Sequence, residues 1–292
     1  MIHRRTLLAA FSALLVVTLT PSGVAAEDFA SSRVTVTATG SGKDVILIPG
    51  HSSSPRVWNE MIDAVPGYRY HKVQVKGFAG LPKDGNGDGD VVASVAEEVA
   101  RYIAEQRLGE ASVIGHSMGG TIGMIVAARH PDAVSKLMIV DMVPFLGGVF
   151  GGPEATAETV KPIAESFRAN IADTPAAAYT TQLDRIVAGM VRTESRRAAA
   201  LDDAKRTDRN VASRSYAELI LTDLRPELPK ITAKTVVLYV APNADTPIDA
   251  AYQAAYANMK DVTLTRIPDA AHFVMWDNAP RFQAEVKAFL AD

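Results

Sequence analysis

The chain has 292 residues, of which 48% are hydrophobic and 22% charged, with no cysteine and a formal charge of 30 minus 33, or −3. Without cysteine there is no thiolate nucleophile, zinc ribbon, iron–sulfur cluster or disulfide scaffold, and no residue to carry a bacterial lipoprotein anchor. Near-neutral charge with no long basic run argues against nucleic acid, whose phosphates require clustered Lys and Arg, and leaves small-molecule chemistry as the expectation.

At the N-terminus, His3-Arg4-Arg5 precedes an apolar run from Leu7 to Leu19, then Pro21, Ser22, Gly23 and the small residues Val24-Ala25-Ala26. Basic, apolar and small in that order reads as a secretory signal peptide cleaved after Ala26. The apolar run falls short of the roughly 20 residues that span a bilayer, so the expectation is an exported, periplasmic or secreted protein with no stable membrane anchor. Adjacent Arg4 and Arg5 suit a general or a twin-arginine leader equally.

Beyond the leader, short apolar runs alternate with helical patterns. Val45 to Ile48, His71 to Val75, Ser112 to Ile114, Leu137 to Val140 and Val236 to Val240 are short and rich in β-branched residues, as expected of strands buried on both faces. Val92, Val95, Ala96, Val99 and Ile103 recur at helical spacing, as do Ile122, Ile125 and Val126. Strand and helix in alternation predict an α/β fold with a mostly parallel sheet covered on both faces.

The alternation stops between about 143 and 230. Leu183, Ile186, Val187, Met190 and Val191, then Tyr216, Leu219, Ile220 and Leu224, mark amphipathic helices there. Glycines 147, 148, 151 and 152 open the segment and Pro226 and Pro229 close it. It is expected to be a helical cap inserted over the carboxyl ends of the strands, within one domain spanning 27–292.

Gly115-His116-Ser117-Met118-Gly119-Gly120 lies between the strand Ser112 to Ile114 and a helix beginning near Thr121. Gly-x-Ser-x-Gly in a strand–turn–helix setting is a nucleophile elbow, which presents a serine on a tight turn. A serine hydroxyl needs a base to take its proton. Of the six histidines, His3 is in the leader, His116 is bound to the elbow, His130 ends a helix, His71 sits in a strand and His51 in a glycine loop. His272, in the loop after the apolar strand Val262 to Ile267, is the expected general base. Its carboxylate partner is expected to be Asp245, after the strand Thr235 to Val240, with Asp141 at the end of Lys136 to Val140 as the rival. The oxyanion donors are expected to be the backbone N–H groups of Met118, directly after the nucleophile, and of His51, in the loop after Val45 to Ile48.

Taken together these segments resemble the α/β-hydrolase superfamily in its lidded, serine-dependent form. Pro49-Gly50-His51 through Trp58 resembles its His-Gly loop, Gly77-Phe78-Ala79-Gly80 its Gly-Phe-Gly loop, and Gly115 to Gly120 its elbow, while Asp223-Leu224-Arg225 followed by Leu228 and Ile231 resembles a cap exit. Proline replaces the usual histidine at Pro49, and Lys76-Gly77 lacks the aspartate that often precedes the Gly-Phe-Gly loop. The resemblance implies acyl transfer to water from a small carboxylic ester or lactone, with no cofactor and no metal. A carbon–carbon bond hydrolase or peptidase on the same triad, and a ligand-binding protein with a vestigial triad, are the alternatives. Dehalogenases and epoxide hydrolases of this fold carry aspartate at the nucleophile position, which Ser117 disfavours.

One segment imitates another function. Asp84-Gly85-Asn86-Gly87-Asp88-Gly89-Asp90 resembles the start of a calcium loop, but the ninth and twelfth positions are Val92 and Val95. The expectation is a turn with Asp90 capping the next helix.

Overall fold

The computed structural model describes residues 29–109, 111–241 and 248–291. The expected leader, with its expected cleavage after Ala26, and Asp245 lie outside the described residues.

Seven strands form a single sheet: β1 (Val34–Gly40), β2 (Lys43–Ile48), β3 (Tyr68–Val75), β4 (Ala111–His116), β5 (Val134–Val140), β6 (Lys234–Tyr239) and β7 (Val262–Arg266), in the order β1-β3-β2-β4-β5-β6-β7. β1 runs antiparallel to β3, and the remaining pairs are parallel. Because a strand turns successive side chains to opposite faces, the run in β2 feeds two cores. Ile46 and Ile48 pack with Val73, Val113 and Val237 on one side, while Val45 and Leu47 pack with Tyr70, Ile114 and Leu238 on the other. Each such side chain, wholly removed from water, contributes about 1.5 to 3 kcal/mol. β1 escapes a reading based on apolar runs because it is an edge strand of alternating Val and Thr, buried only at Val34.

α2 (Val92–Glu105) and α3 (Met118–Arg129) cover the first face, whereas α1 (Asn59–Ala64) and, from the far end of the chain, α10 (Val274–Asp277) and α11 (Ala279–Ala291) cover the second. α9 (Ile248–Ala255) packs on the first face through Tyr252 and Ala255. The fold is that of the α/β hydrolases.

Between β5 and β6 the chain forms α4 (Leu146–Gly151), α5 (Lys161–Asp173), α6 (Ala176–Met190), α7 (Glu194–Arg206) and α8 (Arg209–Leu221). α6 and α8 coincide with the amphipathic patterns. α7 buries only Ala200 and Asp203, and an element with so narrow an apolar stripe leaves little hydrophobic period to read.

Polar contacts fasten these helices to the sheet domain. Asp203, 1% exposed, accepts from the Ser54 backbone N–H at 3.0 Å, the Ser54 hydroxyl at 2.7 Å and Arg56 Nε at 3.0 Å. Arg206 Nη1 donates to the Ala79 carbonyl at 2.7 Å. Glu218 reaches from α8 to the start of α2 and accepts from the amides of Val91 at 2.6 Å, Val92 at 2.9 Å and Ala93 at 2.9 Å. The expected cap of α2 is therefore replaced: no side chain caps it from the preceding loop, and Glu218, 127 positions on from Val91, supplies the negative charge that the helix N-terminus favours.

The calcium-like loop is organised by side chains of the protein itself. Asn86 is fully buried, donating to the carbonyls of Arg33 at 2.8 Å and Lys76 at 2.9 Å. The Arg214 guanidinium occupies the carbonyls of Asn86 and Gly89.

Glu218→Ala leaves the first amides of α2 without acceptors under α8. It is expected to lower stability by about 1 to 3 kcal/mol in urea unfolding, with a larger loss than Asp90→Ala.

Candidate active site

The parallel strands end on one side of the sheet, and the order reverses between β2 and β4, where a crevice opens at their carboxyl ends. The expected elbow stands at this point. Ser117 follows β4 with φ 53° and ψ −123°, a conformation that L residues avoid and that costs on the order of 1 to 3 kcal/mol. The glycines either side make the turn possible. A Cβ at Gly115 would collide with the Gly119 carbonyl, and one at Gly119 with the carbonyl of Ile48 on the neighbouring strand. The Ser117 N–H donates to the Val140 carbonyl at 2.9 Å, and its own carbonyl accepts from Gly120 N–H at 2.7 Å.

His272 approaches from the loop after β7. That loop is held at several points. Ala271 N–H donates to Asp277 Oδ2 at 2.9 Å, Phe273 N–H to the Met190 carbonyl at 3.2 Å, and Asn278 Nδ2 to the Pro268 carbonyl at 2.9 Å. Asp277 also accepts from the amides of Arg192 at 3.1 Å and Thr193 at 2.8 Å, so one carboxylate joins this loop to the α6–α7 connection.

The carboxylate on the His272 ring is that of Asp141. His272 Nδ1 donates to Asp141 Oδ2 at 2.6 Å, with the two side chains 20% and 12% exposed. Asp141 Oδ1 accepts from Val240 N–H at 3.2 Å and lies 3.4 Å from the Tyr252 hydroxyl. Asp141 follows β5 at φ 52°, a left-handed bend that turns the side chain out of the strand direction. Asp245, favoured from sequence, lies in the segment outside the described residues; the rival position is the one observed against His272. With Nδ1–H committed to Asp141, Nε2 carries the lone pair.

His51 and Met118 stand where the oxyanion donors are expected, at the carboxyl end of β2 and the first position of α3. Neither backbone N–H donates a hydrogen bond among the described residues. The His51 side chain does different work. Its Nε2 donates to the Ala212 carbonyl of α8 at 2.9 Å, its Nδ1 accepts from the Ser52 hydroxyl at 3.1 Å, and the ring packs edge-on to Phe78 and Tyr216. Burial pushes its pKa down to about 4.

His116 carries a role that elbow position alone did not reveal. Its Nε2 donates to the His272 carbonyl at 2.9 Å and its ring lies 4.6 Å from the His272 ring. It is 1% exposed, and burial followed by the charge of His272 drives its pKa well below the usual value. A neutral imidazole thus braces the loop that carries His272. The sequence signal was adjacency to Ser117 alone.

Two cavities meet at this point. One, of about 400 Å3, is bounded by Gly50, His51, Ser117 and His272 below and by Phe167, Leu183 and other cap residues above. The second, of about 780 Å3, lies beyond His272, between Val143, Phe145, Gly189 and Ala251. Both are in the range of small-molecule sites. Among the described residues no group of acidic and histidine side chains is arranged to hold a metal ion.

Residues 45–286 match the Alpha/beta hydrolase family. The chain belongs to that family. It is 26% identical over 281 residues to the 2-hydroxy-6-oxononadienedioate/2-hydroxy-6-oxononatrienedioate hydrolase of a Pseudomonas species, covering 89% of this chain and 93% of that protein. It is 31% identical over 112 residues to the pimeloyl-[acyl-carrier protein] methyl ester esterase of Aeromonas hydrophila, a match spanning 38% of this chain and 42% of that relative. In structure it resembles an esterase from Exiguobacterium antarcticum, with a TM-score of 0.73 at 20% identity over 89% of this chain and 96% of the other. The family match and the shared fold place this chain among the α/β hydrolases.

The buried histidines set an expected pH response. The unfolded chain takes up a proton on His51 near pH 6.5, whereas the folded chain resists it until about pH 4. The unfolded state binds more protons in that window, so stability falls as pH drops through it. His116 acts in the same direction. Urea unfolding at stepped pH is expected to show this loss, and His51→Gln, which keeps a donor for the Ala212 carbonyl, is expected to flatten part of it.

Proposed function

We propose that this α/β hydrolase is an exported serine ester hydrolase that cleaves a small carboxylic ester or lactone through an acyl-enzyme on Ser117. The observation that carries this reading is the His272–Asp141 hydrogen bond at 2.6 Å on the rim of a cavity that Ser117 and His272 both line.

In the proposed reaction Ser117 Oγ attacks the substrate carbonyl while His272 Nε2 takes its proton. Among the described residues Ser117 Oγ makes no hydrogen bond in the resting geometry, and the contact to His272 closes in the substrate complex. Asp141 holds the Nδ1–H tautomer and stabilises the imidazolium. The N–H groups of His51 and Met118 receive the negative charge on the carbonyl oxygen. Being fixed by backbone, they need no reorganisation as charge develops, and each such donor is typically worth about 100-fold to 1000-fold in rate. The imidazolium then protonates the leaving alkoxide, and a water deprotonated by His272 releases the acid and regenerates Ser117. In a lactone the leaving oxygen stays tethered to the acyl group, and the sequence of bonds is the same.

A fluorophosphonate probe tests the nucleophile: the wild type is expected to be labelled and Ser117→Ala not, and labelling of both would remove the mechanism. For the acid, Asp141→Asn is expected to lower kcat by on the order of 10^4-fold with the fold intact, while Asp245→Asn retains most of the turnover. The reverse ranking would return the role to Asp245.

Export rests on the order of basic, apolar and small residues up to Ala26. Full-length chain produced in a bacterial host is expected to accumulate outside the cytoplasm with Glu27 as its first residue, as read by intact mass.

A further inference from the structure

The two cavities meet at His272 and have different walls. Gly50, His51, Ser52, Ser53 and Ser117 line only the smaller one, whereas Asp141, Val143, Val149, Tyr252 and His272 line both. On the proposed mechanism the carbonyl carbon must touch Ser117 Oγ and its oxygen must face the His51 and Met118 amides. Both requirements place the acyl group in the smaller cavity. The leaving oxygen has a different requirement, since it must lie at His272 Nε2 to receive a proton. His272 stands where the cavities join, so whatever is attached to that oxygen passes His272 into the larger one.

The wall of the larger cavity is mostly apolar, with Arg192 and Arg225 as its cations. Val143, Pro144, Phe145, Ala251 and Ala255 form much of its wall. The charge of Arg225 on that wall is already neutralised, because its Nε and Nη2 donate to the Asp223 carboxylate at 2.9 Å and 2.6 Å while the guanidinium stacks 4.5 Å from the Phe145 ring. Asp141 is likewise committed to His272. The volumes rank the two portions, about 780 Å3 against about 400 Å3.

We propose that the larger cavity is the alcohol site, so that among esters the preferred substrates are those of a bulky apolar alcohol with a smaller acyl group. This rests on the Ser117–His272–Asp141 reading and adds to it the substrate class.

Gly189 provides the test. It lies in α6 on the wall of the larger cavity alone, and a Cβ built on it meets no atom within 4 Å. Gly189→Leu therefore adds bulk at the wall of the larger cavity with no clash at its Cβ, and Ala251→Leu adds bulk at the same wall from α9. Ile171→Trp fills the smaller cavity. Two series of esters are assayed with full-length protein, one varying the alcohol from methyl to hexyl at fixed butanoyl, the other varying the acyl chain at fixed methyl.

For the wild type, kcat/KM is expected to rise by about fourfold for each methylene of alcohol that the wall covers. Either filling variant is expected to lower the hexyl-to-methyl ratio at least tenfold while preserving the acyl-chain profile, and Ile171→Trp to do the converse. A wild type indifferent to alcohol size, or a Gly189→Leu that alters the acyl profile instead, overturns the proposal. Thermal melting guards the comparison, and the second filling variant replaces the first if the first unfolds. Fluorophosphonate labelling separates the two levels of argument: a protein labelled on Ser117 but indifferent to the alcohol loses only the assignment of the cavities, whereas an unlabelled protein loses the mechanism and this proposal together.

Discussion

The left-handed backbone at Ser117, φ 53°, is the constraint around which the rest of the site is arranged. A non-glycine residue stays in that region only when its surroundings over-determine it, and here they do. Its N–H is tied to β5 through the Val140 carbonyl, its carbonyl to the first turn of α3, and the glycines at 115 and 119 let that turn lie against β2. These ties link the central strand to both neighbours. Strain at Ser117 is therefore carried by the parallel sheet, whose side chains at Ile46, Leu47, Ile114 and Met138 are wholly buried. The same geometry leaves the Met118 amide, at the first turn of α3, without an intrahelical acceptor.

A second set of contacts decides how the cap relates to this centre. Asp203, Arg206, Glu218 and the His51 ring all join α7 or α8 to segments near β2, β3 and α2. These attachments cluster on the oxyanion-loop side of the cavity. Helices α4 and α6 border the opposite side, where the large apolar side chains of Val149, Phe150 and Ile186 are exposed. A buried carboxylate that loses its partners costs several kcal/mol, so the α7–α8 side behaves as part of the scaffold. The end of α6 is tied instead to the His272 loop, through the Met190 carbonyl and the Arg192 and Thr193 amides.

Much of this was legible from the amino-acid order, and the reason is the same wherever it was. β2, β4, β5 and β6 are buried on both faces near their carboxyl ends and so carry short apolar runs; the elbow needs two glycines at fixed offsets; and few histidines are free to act as a base. What stayed hidden depends on contacts between distant residues. The Asp203–Ser54 and Glu218–Val91 pairs are separated by 149 and 127 positions, and no local pattern marks either partner. α7 buries only Ala200 and Asp203, with little amphipathic signal. The bracing role of His116 was equally hidden, since elbow position gives no sign that its ring faces His272.

The carboxylate partner of His272 shows the limit most clearly. Two aspartates follow adjacent parallel strands, Asp141 after β5 and Asp245 after β6, and sequence spacing treats them alike. What brings Asp141 to the histidine is a backbone feature, the bend at φ 52° that swings its side chain toward the carboxyl edge while the Val240 amide, directly after β6, holds Oδ1. Aspartate enters the left-handed region more readily than most residues, so the residue type that suits the chemistry also permits the bend. An acid on β5 stands on the strand next to β4, one strand closer to Ser117 than β6 allows. The groups to which the proposed mechanism gives roles thereby follow three adjacent strands, β2, β4 and β5, with only His272 arriving from outside. That compactness explains why the loop after β7 must be held so firmly: its histidine has to cross the ends of β6 to meet a partner on β5, and the contacts from Asp277, Met190 and His116 fix it there.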